Sequence, residues 1–156
     1  MSNVNQIRQN APGFDPRLFL RDEELDYGIA LIFAGERALY AVSGDLATRH
    51  EIPALAALVL LTLRFQPGLT VSDLRTHLGA TTPTLARILG FLDQRGWVER
   101  RRSEQDGRSR TLWLSQAGAS LTDPATLAMR QRLQAAYRRA GPSAVAGARA
   151  MLEALI

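Results

Sequence analysis

No stretch constrains the fold more than Thr81-Thr82-Pro83-Thr84-Leu85-Ala86-Arg87-Ile88-Leu89-Gly90-Phe91-Leu92-Asp93-Gln94-Arg95-Gly96. Thr81 or Thr82 can cap the free N–H groups of a helix start, and Pro83 suits a first turn, where its missing donor costs nothing. Leu85, Ile88, Leu89 and Leu92 recur at helical spacing and make one apolar stripe. Gly96 stands where a left-handed residue would stop the helix. At roughly 100° per residue the opposite face carries Pro83, Ala86, Arg87, Gly90 and Gln94. A helix that gives one face to a core can present the other to a partner. Arg87 in that face can fork onto a guanine edge or a phosphate, although taken alone it is equally well a solvated charge.

The flanks shift that balance. Upstream, Leu69 to Gly79 reads as a second short helix. Thr70 and Asp73 approximate a capping box, Val71, Leu74 and Leu78 face inward, and Gly79-Ala80 gives a tight turn between the helices. Downstream, Trp97 to Arg102 and Arg110 to Leu114 are strand-like runs. Between them lies a polar loop, Ser103 to Ser109, with an Asp106-Gly107 turn signal. Helix, turn, helix and then a hairpin carrying Arg100, Arg101, Arg102, Arg108 and Arg110 is the order of a winged helix-turn-helix, a DNA-reading unit. The predicted fold class is therefore mainly α with a small β-hairpin.

Charge follows the same division. Residues 1–69 hold six arginines against eight acids, residues 70–114 eight against five, and residues 115–156 five against two, for the net +4 of the chain. The excess lies in the reading unit and the tail, and a polyanionic partner is its simplest use. The chain has no cysteine, which excludes disulfides, zinc–thiolate sites and thiol redox sensing.

The rest of the chain supplies arms. Residues 1–20 are polar and contain Pro12-Gly13 and Pro16, which predicts an arm without a fold of its own. No basic segment followed by an apolar core is present there, so no signal peptide is expected and the predicted location is cytoplasmic. From Asp22 to about Thr48 a long amphipathic helix fits, with Leu25, Ile29, Ile32, Phe33, Leu39, Tyr40 and Leu46 in phase and three acids at its start. Pro53 to Phe65 is apolar on every side but too short for a bilayer, which needs about 20 residues; it predicts a buried core helix and no membrane partner. Ser115 caps a further helix that either kinks near Asp123-Pro124 or ends there and restarts. Gly141-Pro142 then opens an alanine-rich helix, Pro142 to Leu155. Small residues suit a dimer seam, and an intramolecular contact would look the same.

Leu69 to Leu74, Arg87-Ile88-Leu89, Leu92 and Arg95-Gly96-Trp97-Val98-Glu99-Arg100 together resemble the MarR family of bacterial transcriptional regulators. The Asp106-x-Arg108 wing followed by Leu112-Trp113-Leu114-Ser115-Gln116-Ala117-Gly118 is similar to that family's wing and the start of its fifth helix. The resemblance covers nearly the whole chain from about Asp22. Beside the polar arm read over 1–20, it implies a single domain over 21–156, with a reading head at about 53–114 and dimerisation helices at about 22–48 and 115–156. It also implies a homodimer on a pseudo-palindromic operator of double-stranded DNA, with repression as the expected sign. The Thr81 helix would enter the major groove and the Arg108 wing tip the minor groove.

The expected DNA contacts are Thr81, Thr82, Thr84, Arg87, Gln94, Arg108 and Arg110. The threonines lie at a helix start, where the dipole already favours anions. Asp106 would repel phosphate; as in the resembled family, it is expected to orient a wing arginine such as Arg108 or Arg110. The family further implies a small aromatic or anionic effector bound between the dimerisation helices and the reading head, and no residue here identifies it.

Enzymatic readings find little support. His50 and His77 are the only histidines, far apart in sequence and without a nucleophile constellation, and His77 reads as a surface or phosphate contact. Metalloprotease, nucleophile-elbow and phosphate-loop motifs are missing, so no catalytic residue, metal or cofactor is expected. The alternative function is a winged-helix protein–protein interaction module, for which Ala86 and Gly90 leave room. The arginine-rich wing argues against it.

Overall fold

The computed structural model describes Gly13, Asp15, Arg17, residues 19–102 and residues 109–156. The predicted N-terminal arm lies largely outside the described residues, as does the wing tip with Asp106 and Arg108. The elements in order are α1 (Asp22–Arg49), α2 (Ala54–Phe65), β1 (Leu69–Thr70), α3 (Val71–Leu78), α4 (Thr82–Gln94), β2 (Val98–Arg102), β3 (Arg110–Leu114), α5 (Gln116–Ala140) and α6 (Pro142–Leu155). The fold is thus mostly helical with one small antiparallel sheet, as the sequence predicts. No single helix among the described residues is long and apolar enough to cross a membrane.

The chain divides into two compact units, Met1–Ala41 and Val42–Ile156. In the first, α1 begins with Asp22, Glu23 and Glu24, which favour the positive end of its dipole. Leu25, Ile29, Phe33 and Tyr40 follow at helical spacing and are all exposed, Phe33 by 58%. The stripe read from the sequence is present and exposed.

The second unit holds the core. Leu60 and Leu63 of α2, Leu74 of α3, Leu85, Ile88, Leu89 and Leu92 of α4 and Leu112 of β3 are fully buried. α2 is the central core helix that its apolar run predicts, with Ala56, Ala57 and Val59 buried as well. α3 carries the expected capping box: the Thr70 hydroxyl accepts from the Asp73 N–H at 3.1 Å, and the Asp73 carboxylate accepts from the Thr70 N–H at 3.1 Å. The Thr70 hydroxyl also donates to that carboxylate at 2.7 Å. These bonds hold the Asp73 carboxyl below the usual carboxylate range.

One expectation requires correction, and one open alternative is decided. Leu69 and Thr70 do not belong to the helix that follows them. They form β1 and pair with Leu112 and Thr111 of β3, so the hairpin becomes a three-stranded sheet in the order β1-β3-β2. Pro124 neither ends nor restarts the C-terminal helix, because α5 runs through it from Gln116 to Ala140. Hydroxyls add bonds to carbonyls on either side of the proline: Thr122 donates to Ala119 O at 2.9 Å and Thr126 to Thr122 O at 2.9 Å. Thr122, Ala125 and Thr126 are buried on the core side, so packing holds the helix across the residue that would otherwise break it.

Candidate nucleic-acid interface

α4 forms as its sequence dictates. Thr81 is the N-cap, its hydroxyl accepting from the Thr84 N–H at 3.4 Å, and a proline occupies the first turn. Gly96 adopts φ +66° just past the helix end, in the left-handed region. With Leu85, Ile88, Leu89 and Leu92 buried, Pro83, Ala86, Arg87 and Gln94 are exposed and Gly90 partly so. One face packs and the other is open.

The candidate contact residues divide into groups. Thr81, Thr82 and Thr84 gather at the α4 N-terminus. The Thr81 hydroxyl is committed locally, because it also donates to Thr84 Oγ1 at 2.8 Å. Thr84 Oγ1, accepting that bond, keeps its own proton for an outside acceptor, and the hydroxyl of exposed Thr82 makes no hydrogen bond among the described residues. Arg87 lies one turn further on, exposed and without an ion-pair partner among the described residues. Gln94 shares its face but sits about 10 Å further along the axis, at about 1.5 Å per residue. Arg110 is exposed at the outer end of β3. Asp106 and Arg108 lie outside the described residues.

Not every arginine near this face is available. Arg100 reaches back to Asp93 of α4 at 3.0 Å, so that pair joins the helix to β2. Arg101 lies over the Trp113 ring at 4.6 Å and pairs with Glu99 at 3.2 Å. Arg95 stacks 3.9 Å above the Phe91 ring and 5.4 Å from Trp97. Sequence counting alone treats these as equivalent basic residues; the sheet register and the helix end give them structural work. The described wing arginines left over are Arg102 and Arg110.

The junction between hairpin and α5 was not legible as a site, yet it fixes the hairpin's base. Ser115 Oγ donates to Gly96 O at 2.6 Å and accepts from the Gly118 N–H at 3.1 Å, while Ser115 N donates to Trp97 O at 3.0 Å. The Leu-Ser-x-Ala-Gly signature therefore has a physical role: it locks the start of α5 onto the end of α4.

A cavity of about 60 Å³ also lies in the second unit, lined by Val42, Leu46, Leu121 and Ala125 with Arg49 and His50 among its polar groups. Among the described residues, no group of three or more potential metal ligands is clustered.

This architecture has relatives. Residues 50–109 match the MarR family. Over 146 residues the chain is 40% identical to the HTH-type transcriptional regulator PetP of Rhodobacter capsulatus, covering 94% of this chain and 88% of that protein. Among solved structures, a MarR-family regulator from Silicibacter pomeroyi superposes with a TM-score of 0.67 at 22% identity, over 83% of this chain and 87% of that one. The MepR–DNA complex of S. aureus superposes with a TM-score of 0.57 at 20% identity, over 81% and 91%. These two likenesses speak to the fold, and the closer sequence match to PetP carries the family. The chain is therefore a member of the MarR family of transcriptional regulators and not an enzyme.

Proposed function

We propose that the protein is a sequence-specific DNA-binding repressor that grips a pseudo-palindromic operator as a homodimer. The observation that carries this reading is the open face of α4, with Arg87 at its middle and the arginine-bearing hairpin joined to the same helix through Asp93 and Arg100. α4 enters the major groove, where Arg87 reads a base edge and Thr82 and Thr84 hold phosphates at the helix start. Gln94, further along the same face, reaches the flank of the site. Arg110 and the wing-tip residue Arg108 reach the adjacent backbone and minor groove, with Asp106 orienting a wing arginine. MepR, bound to DNA in one of its structures, shares this fold. The exposed stripe Leu25, Ile29, Phe33 and Tyr40, with Leu133, Tyr137, Leu152 and Leu155 exposed near the other end of the chain, supports a second copy as the partner that covers them.

Release by a small aromatic or anionic effector belongs to the same proposal. The cavity near Val42 and Leu121 is one space available to it. At about 60 Å³ that space is below the roughly 150 Å³ of a cavity that accepts benzene. A ring would therefore have to part α1 from α5 there, which is a direct route from binding to movement of the dimerisation helices.

The test is titration of the protein against a duplex from its own promoter region at several salt concentrations. Saturable binding that weakens steeply with salt supports the proposal. A protein that binds no duplex, with the fold intact, would favour the protein-docking reading instead.

A further inference from the structure

The register of the hairpin has a consequence for how it meets DNA. Val98 pairs with Leu114, Arg100 with Leu112 and Arg102 with Arg110. Residues directly opposite one another in an antiparallel pair project to the same side, and alternate pairs share a face. Val98 and Leu112 are buried, so this is the face that lies on the core. Moving outward along it, Arg100 is neutralised by Asp93, and beyond it come Arg102 and Arg110, both exposed. Among the described residues neither makes an ion pair.

Two like charges directly opposite each other destabilise a strand pair unless an anion lies between them. Opposed Cβ atoms stand only about 5 Å apart. Two guanidiniums that start so close can converge on one tetrahedral group, and each offers several donors in a planar fork that suits phosphate oxygens. The other face of the hairpin makes the contrast plain: there Arg101 has both Glu99 and the Trp113 ring. Among the described residues of the hairpin, the arginines without an ion-pair partner are this one cross-strand pair.

We propose that Arg102 and Arg110, held opposite one another across β2 and β3, clamp a single phosphate of the DNA backbone. The inference deepens the DNA-binding proposal and rests on it. It makes Arg102 a binding residue and turns Arg110 from an independent contact into half of a pair. The clamp is indifferent to sequence and sets the register of the hairpin on the duplex, while base reading is left to α4.

The experiment measures binding of the full chain to its promoter duplex and to a scrambled duplex across a salt series. The parent is compared with Arg102→Gln, Arg110→Gln and the double variant. Each neutralised phosphate contributes about 0.9 to the slope of log affinity against log salt. A shared phosphate predicts that the double variant loses about one phosphate's worth of slope, equally on both duplexes, with affinity down about tenfold or more. Each single variant should lose only part of that, because the remaining guanidinium still holds the anion. Without DNA at low salt, each single variant should melt no lower than the parent, since a repulsion has been removed. Loss of about two phosphates' worth of slope in the double variant would mean two separate contacts, and an unchanged slope would mean none; either overturns the clamp. A parent that binds neither duplex overturns the DNA-binding proposal itself, and the clamp with it.

Discussion

Gly118 lies so close to the Trp97 carbonyl that a β-carbon at Gly118 would overlap the carbonyl oxygen. The start of α5 is thus pressed onto the turn between α4 and β2 at a point where only glycine fits. The obstacle is backbone, which cannot swing aside as a flexible side chain would. Ser115 bonds to Gly96 and Trp97 at the same junction, so the reading head and the C-terminal helices meet through a rigid joint.

Gly118→Ala should therefore destabilise the protein by about 1–3 kcal/mol or more, as overpacking against an unyielding wall does. Ser115→Ala should cost about 1 kcal/mol through loss of the cap. Urea unfolding checks both, as a lowered midpoint with little change in slope.

Thr70 and Asp73 give a pH signature. The Asp73 carboxyl is held low by hydrogen bonds from the Thr70 hydroxyl and N–H. A carboxylate whose folded pKa is depressed contributes stability that is fully present above its unfolded value, about 3.9, and lost as pH falls through the lower folded value. Thr70→Ala should cost about 1 kcal/mol near neutral pH. The gap in melting temperature between parent and variant should narrow on acidification below about pH 4. A gap that stays constant down to strong acid would mean that the carboxylate takes no part in the cap.

Much of this fold was legible because its signals are local. The Thr81 cap, the first-turn proline, the apolar stripe and Gly96 all act within one helix, and α4 formed between them as expected. β1 was not legible: Leu69 and Thr70 are strand only because β3, some forty residues on, supplies the partner, and local pattern carries no record of that pairing. Pro124 left two outcomes open for a related reason. Its local rule is to break a helix, and buried Ala125 and Thr126 override it through packing. The end of α1 also lacks the usual glycine, since Glu51 takes the left-handed position with φ +50° and Ile52 N donates to Ala47 O at 3.0 Å. In the candidate site, residue types were readable but assignments were not. Arg100 and Arg101 look like Arg102 in sequence, and only the register and Asp93 separate them.

Phe33 and Ile29 test the assembly. Both are exposed on α1 and outside the second unit, which has its own core. Phe33→Asp should convert a dimer of twice 17.1 kDa into a monomer in light scattering at micromolar concentration. The fluorescence of Trp97 and Trp113, both in the second unit, should stay folded-like. A parent that is already monomeric there would remove the two-half-site arrangement.

Arg87 carries the central claim that α4 reads bases while the hairpin holds the backbone. The most direct measurement compares the parent and Arg87→Ala on the operator duplex and on a scrambled duplex of equal length at one salt concentration. The position is exposed, so folding should not change. The predicted result is a loss of roughly 1–3 kcal/mol per half-site on the operator and much less on the scrambled duplex. Equal losses on the two duplexes, or none on the operator while the scrambled sequence is still rejected, would contradict it.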